Sequence, residues 1–229
     1  IEESHDRSPD WSSPVSQGLS ELEGSHSGSP VTRIPAGAQY PPPDCYAFYL
    51  PFHYYYHNNL WGIYLVQEGV KELAAILRRL SRRRLSPGQC EVAAKAFLFR
   101  HERFHHKVEC FATRLEVTHR QPLYKNGFEA LYQKTFGTAD CLEEALANGD
   151  ALNEYEGNIK EKKRVTEAGL EALSEYVEGT GPGYSRGTSY VKKGDYNAGR
   201  HELSEACHGM AFPHIVSKRA ALWSNFTNS

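Results

Sequence analysis

The sequence predicts an α+β fold, mainly helical, with a small antiparallel sheet preceding one long helix. Three observations lead there. Residues 45–66 concentrate aromatic and β-branched side chains on either side of Asn58-Asn59, the pattern of two strands joined by a turn. From residue 67 onward, apolar residues recur at helical spacing. No Pro or Gly interrupts residues 89–120, which predicts a single long helix.

The 229 residues, 40% of them hydrophobic, suit one domain with a sizeable core. Residues 1–43 are rich in Ser, Pro, Gly and Glu and poor in apolar periodicity, so they are expected to be a disordered or loosely attached tail. Pro41, Pro42 and Pro43 form a stiff stop, and the folded domain is expected over 44–229. A net charge of −2 gives no reason to expect nucleic acid or an anionic membrane as a partner. No apolar run approaches the roughly 20 residues that span a bilayer. The five cysteines are scattered and form no C-x-x-C pair, which points to free thiols and a cytoplasmic protein.

The elements follow in order. Tyr46, Phe48 and Tyr49 belong to the first strand, Trp61, Ile63 and Tyr64 to the second. Val70, Leu73, Ala74, Leu77 and Leu80 give a helix over 67–85, ending in a basic run at 78–84 that suits a solvated helix terminus. Ser86-Pro87-Gly88-Gln89 reads as a capping box with Pro at the first helical position. The long helix follows, to about Thr118. Gln121-Pro122 breaks it, and a short helix is expected over 127–136 with Phe128, Leu131, Tyr132 and Phe136 inward. Thr138 is expected to cap the next helix, which carries Leu142 to Asn148. Charged helical sequence covers 155–178, a Gly-rich loop 179–187, and a last helix about 195–208.

The long helix carries His101, Glu102 and His105, an H-E-x-x-H pattern. Residues four apart share a helix face. Two imidazoles can therefore converge on one Zn²⁺ while the intervening glutamate handles a water's proton. Burying these groups unpaired in a helix with apolar neighbours would be costly, and a metal removes that cost. A catalytic zinc site usually has three protein ligands. The metzincin pattern fails, because Val108 and Phe111 stand where it requires Gly and His. Gly137-Thr138-Ala139-Asp140 resembles the G-T-x-D of aspzincins, without the Tyr-Gly that completes it.

Glu144-Ala145-Leu146-Ala147-Asn148 resembles the Glu-x-x-Ala-Asp/Asn segment that follows H-E-x-x-H on a second helix in gluzincins. The resemblance covers roughly residues 90–155. It implies a zincin-like core, His101, His105 and Glu144 as zinc ligands, Glu102 as general base, and Asn148 as a residue orienting the first histidine. Glu143, Glu109 and Asp140 remain rivals for the third ligand. The expected reaction is peptide hydrolysis. Tyr184 and Tyr190, in the Gly-rich loop, are expected oxyanion donors carried by a mobile lid, ahead of His201, His208 and His214. A peptide or protein substrate would pair with the sheet edge, and the tail at 1–43 is a candidate inhibitory segment. The alternative is a zinc-binding regulatory or interaction module, sensor-like or antitoxin-like, without peptidase activity.

Overall fold

The structure, a computed structural model, describes residues 45–53, 61–157 and 165–212. The tail at 1–43, the Asn58-Asn59 turn, the charged segment 160–164 and His214 lie outside the described residues.

The architecture is mainly helical with a two-stranded antiparallel sheet. β1 (Ala47–Leu50) pairs with β2 (Gly62–Leu65), Phe48 opposite Tyr64. Those two rings stack at 5.0 Å between centroids, a cross-strand pair of the kind that fixes register. Val66 N–H donates to the Tyr46 carbonyl at 3.0 Å. By the alternation of an antiparallel ladder, Tyr49 turns its own N–H away from β2.

Helix α1 (Gln67–Leu80) buries Val70, Leu73 and Leu77. It stops before the expected 85 because Arg82 and Arg83 take left-handed backbone angles (φ 51° and 63°). Arg83 N–H closes back on the Arg78 carbonyl at 3.0 Å, satisfying an orphan carbonyl at the helix end.

Helix α2 (Pro87–His119) has 33 residues, about 50 Å at ~1.5 Å per residue. Its capping box forms as expected: Ser86 Oγ accepts from Gln89 N–H at 3.3 Å, and Gln89 Oε1 accepts from Ser86 N–H at 2.8 Å. A π-helical turn (Tyr124–Glu129) then runs into α3 (Ala130–Thr135). The expected inward Phe136 is instead 53% exposed, because the helix ends one residue earlier.

Helix α4 (Leu142–Gly157) begins later than a Thr138 cap would place it. The Thr138 hydroxyl instead donates to the Thr135 carbonyl at 2.6 Å, closing the preceding helix. α5 (Glu167–Glu178) is capped by Thr166, a 3₁₀ segment covers Tyr184–Tyr190, and α6 is Lys193–Ala211.

Two apolar clusters hold these elements. Leu73, Leu77, Phe97, Leu98, Leu152, Leu173 and Val177 belong to one. Phe104, Val108, Phe128, Leu146, Leu203 and Cys207 belong to the other. On α2 the boundary falls between Leu98 and Phe104; on α4 it falls between Ala147 and Ala151. His101, Glu102, Glu144 and Asn148 lie in those two gaps and are all buried. Among the described residues, no helix is long and apolar enough to cross a membrane. All five cysteines are free thiols.

Candidate metal centre

His101 and His105 sit one turn apart on α2, and α4 packs across them. His101 Nε2 lies 3.0 Å from Glu144 Oε2 and 3.4 Å from His105 Nε2, while His105 Nε2 lies 3.7 Å from the same oxygen. The group is buried and close enough to hold a metal ion.

The outer ring nitrogens fix the tautomers. Asn148 Nδ2 donates to the Tyr184 carbonyl at 3.0 Å. Its Oδ1 is therefore the atom that faces His101 Nδ1 at 2.8 Å, and it requires an N–H there. His105 Nδ1 lies 2.8 Å from Glu143 Oε1, and an ionised carboxylate only accepts. Each neutral imidazole thus turns its Nε2 lone pair inward. Glu144 Oε2 faces both and is a buried oxygen without a hydrogen-bond partner. Three electron-rich atoms converge in a largely buried site. That arrangement is favourable only with positive charge between them, from a metal or from protons.

The ionisation tendencies say the same of the metal-free chain. Burial opposes charge on both histidines. The Glu144 carboxylate overrides it, raising His101 above its ordinary value and His105 well above. Burial would lift the Glu144 carboxyl, but His105 and His101 hold it well below the usual range. Where a metal replaces the protons, ligands of this kind (two neutral imidazoles and a carboxylate) suit a divalent first-row ion.

Glu102 is buried beside the triad, and burial pushes its carboxyl up, against the pull of His101 and His105. The Tyr49 backbone N–H, directed away from β2, is a minor opposing influence on this carboxyl.

Tyr184 is at the site. Its ring stacks on His101 at 6.1 Å and 15° between planes. Burial first, then the Glu144 charge, raise its phenol, so it remains a proton-bearing donor. Tyr190 is elsewhere. Its side chain packs against Gly149 on α4 and Gly199 on α6. Tyr190 instead belongs to the second apolar cluster and accepts a hydrogen bond from Arg186 Nη2 at 3.0 Å. A Cβ at Gly187 would come within 2.4 Å of Asn148 Cβ, so the glycine serves close approach. That approach lets the Tyr184 carbonyl reach Asn148.

The rivals for third ligand have other partners. Glu143 holds His105 from behind. Asp140 is exposed in the turn before α4. Glu109, fully buried, accepts from His53 N–H at 2.8 Å and Phe52 N–H at 3.2 Å, and from the Tyr49 hydroxyl. His53 bridges Glu109 (2.6 Å) and Glu116 (2.9 Å) through its two ring nitrogens. His201 is exposed and faces Glu205 at 3.6 Å; His208 packs on His119 and Phe212.

Sequence reasoning placed Tyr132 on the inner side of its helix without giving it a role. Its hydroxyl donates to Glu144 Oε1, and its ring meets His105 edge-on at 5.9 Å. Only the inward pattern of its helix hinted at this. No protein-family model, curated protein or solved structure matches the chain.

Proposed function

We propose that the chain is a zinc-dependent peptidase of gluzincin type, with a zincin-like core, His101, His105 and Glu144 as ligands and Glu102 as general base. The observation that carries the reading is the convergence of two Nε2 lone pairs and the partnerless Glu144 Oε2 beside a buried glutamate. A structural site needs ligands; it does not need Glu102.

A zinc ion held there supplies Lewis acidity and lowers the pKa of a water toward about 7. Glu102 takes the proton of the attacking water on its carboxylate and returns it to the departing amine. Its raised affinity for protons brings it nearer the working pH of such a shuttle. Asn148 and Glu143 hold the two imidazoles in the tautomers that present Nε2. Tyr184, a buried phenol that stays protonated, donates to the oxygen on which negative charge develops. An extended peptide or protein segment is the substrate, pairing with the sheet edge.

A second reading has its own support. Glu102 is buried, and burial favours its neutral form, which suits a carboxyl packed in the interior without moving protons. A chain that used Glu102 only in this way would be a zinc-binding regulatory or interaction module.

One experiment separates the two: metal analysis of the wild-type chain and Glu102→Gln, with a peptide-library cleavage assay on the zinc-loaded proteins. Zinc in both with cleavage only by the wild type supports the peptidase. Zinc in both with no Glu102-dependent cleavage favours the module, and zinc in neither sinks both.

A further inference from the structure

Glu144 has two carboxylate oxygens, and their surroundings differ sharply. Oε2 faces both histidine Nε2 atoms, at 3.0 and 3.7 Å, and has no hydrogen-bond partner. Oε1 accepts the Tyr132 hydroxyl. The phenol is the donor in this bond, because an ionised carboxylate only accepts.

The backbone before Tyr132 sets its direction. The π-helical turn Tyr124–Glu129 leads directly into α3. One extra residue in a turn re-phases every side chain after it by about a third of a turn, relative to an unbroken α-helix. Within this turn, a Cβ at Gly127 would lie 2.7 Å from the Cys207 carbonyl oxygen. The π-helical turn is therefore seated on α6 at a position only glycine fits, and its phase is fixed. The edge-on contact of the Tyr132 ring with His105 fixes the ring from the other side.

We propose that Tyr132 is a positioning residue that restricts Glu144 to binding the metal through one oxygen, with the π-helical turn aiming it. This inference rests on the metal-site reading and adds a mode of coordination to it. A carboxylate with one oxygen engaged by a buried phenol offers the ion only the other. The ion then keeps a coordination position open for water, which a chelating carboxylate would fill.

Cobalt(II) is the probe, because its visible absorption is intense in four-coordinate sites and weaker in five-coordinate ones. Wild-type chain and Tyr132→Phe are loaded with cobalt and compared, with zinc affinity measured by chelator competition and folding checked by circular dichroism. The expected result is a severalfold fall in absorption for Tyr132→Phe, as Oε1 becomes free to chelate, with affinity reduced about tenfold. An unchanged spectrum and affinity in a folded variant overturn the clamp and leave the metal site standing. X-ray absorption of the zinc-loaded wild-type chain gives the same answer without a variant. One carboxylate oxygen in the zinc shell supports the clamp; two overturn it. A wild-type chain that takes up neither metal overturns the metal reading and this inference together.

Discussion

Asn148 and His101 are joined so that one amide sets both a tautomer and a neighbouring segment. Asn148 Oδ1 lies 2.8 Å from His101 Nδ1, while its Nδ2 donates to the Tyr184 carbonyl at 3.0 Å. The first histidine and the segment bearing Tyr184 are therefore tied through a single side chain. Replacing Asn148 with Ala is expected to weaken zinc binding by about 10–100-fold. It should also loosen Tyr184, seen as faster amide exchange at residues 184–190. Zinc competition and hydrogen exchange check the two effects, and unchanged affinity would refute the orienting role.

Adjacent glutamates should behave differently. Glu144→Gln removes the inward carboxylate and is expected to abolish stoichiometric zinc. Glu143→Gln leaves the ligands in place and weakens zinc about tenfold, because the amide supports the imidazole less well than a carboxylate. The reverse order of effects would exchange their assigned roles.

Glu102→Gln should retain zinc and lose about 10²–10⁴-fold in peptide hydrolysis, the usual contribution of a positioned acid–base group. Steady-state cleavage with metal content measured on the same samples decides it.

Metal uptake should strengthen as pH rises. In the metal-free chain His101 and His105 titrate above their ordinary value, so zinc must displace protons until the pH passes those raised values. Stability of the metal-free chain follows the linked rule. The histidine contribution is present below the ordinary imidazole value and is lost as pH rises through the raised ones. The Glu144 contribution is present above its ordinary value and is lost as pH falls through its depressed one. Affinity titrations across pH, with proton release on zinc addition, test this. Affinity independent of pH between 6 and 8 would contradict it.

Glu109→Ala should destabilise the fold by about 3–5 kcal/mol, through loss of a buried, multiply bonded carboxylate that leaves donors unpaired. Zinc stoichiometry should be unchanged, because Glu109 serves the backbone of residues 52 and 53. Chemical denaturation and metal analysis read the two quantities separately.

What was legible in the sequence was what short-range geometry decides. The capping box at Ser86 and Gln89 follows from a local signature, and the pairing of His101 with His105 follows from helical period. The hairpin strands were legible from aromatic density. The roles of Glu143 and Glu144 depend on how α4 docks across α2, which no local pattern encodes, and a family resemblance supplied the expectation. The inward face of Tyr132 was legible from helical period; its bond to Glu144 depends on how α4 docks, which is not. Tyr190 shares a stretch of sequence with Tyr184; packing against α4 and α6, which that stretch does not encode, separates them. The early end of α1 arises from arginines in left-handed backbone geometry, where glycine would be the expected signal.

The pinning of residues 52 and 53 to Glu109 has a consequence for how the hairpin moves. Glu109 stands two turns along α2 from Glu102, and it accepts the Tyr49 hydroxyl as well as the backbone N–H groups of residues 52 and 53. One buried carboxylate thus rivets both β1 and the chain that leaves it. A shift of one residue would turn the Tyr49 side chain to the other face of the strand and break that rivet. Guarding the strand against slippage is therefore a task of the helix as much as of the strand pairing.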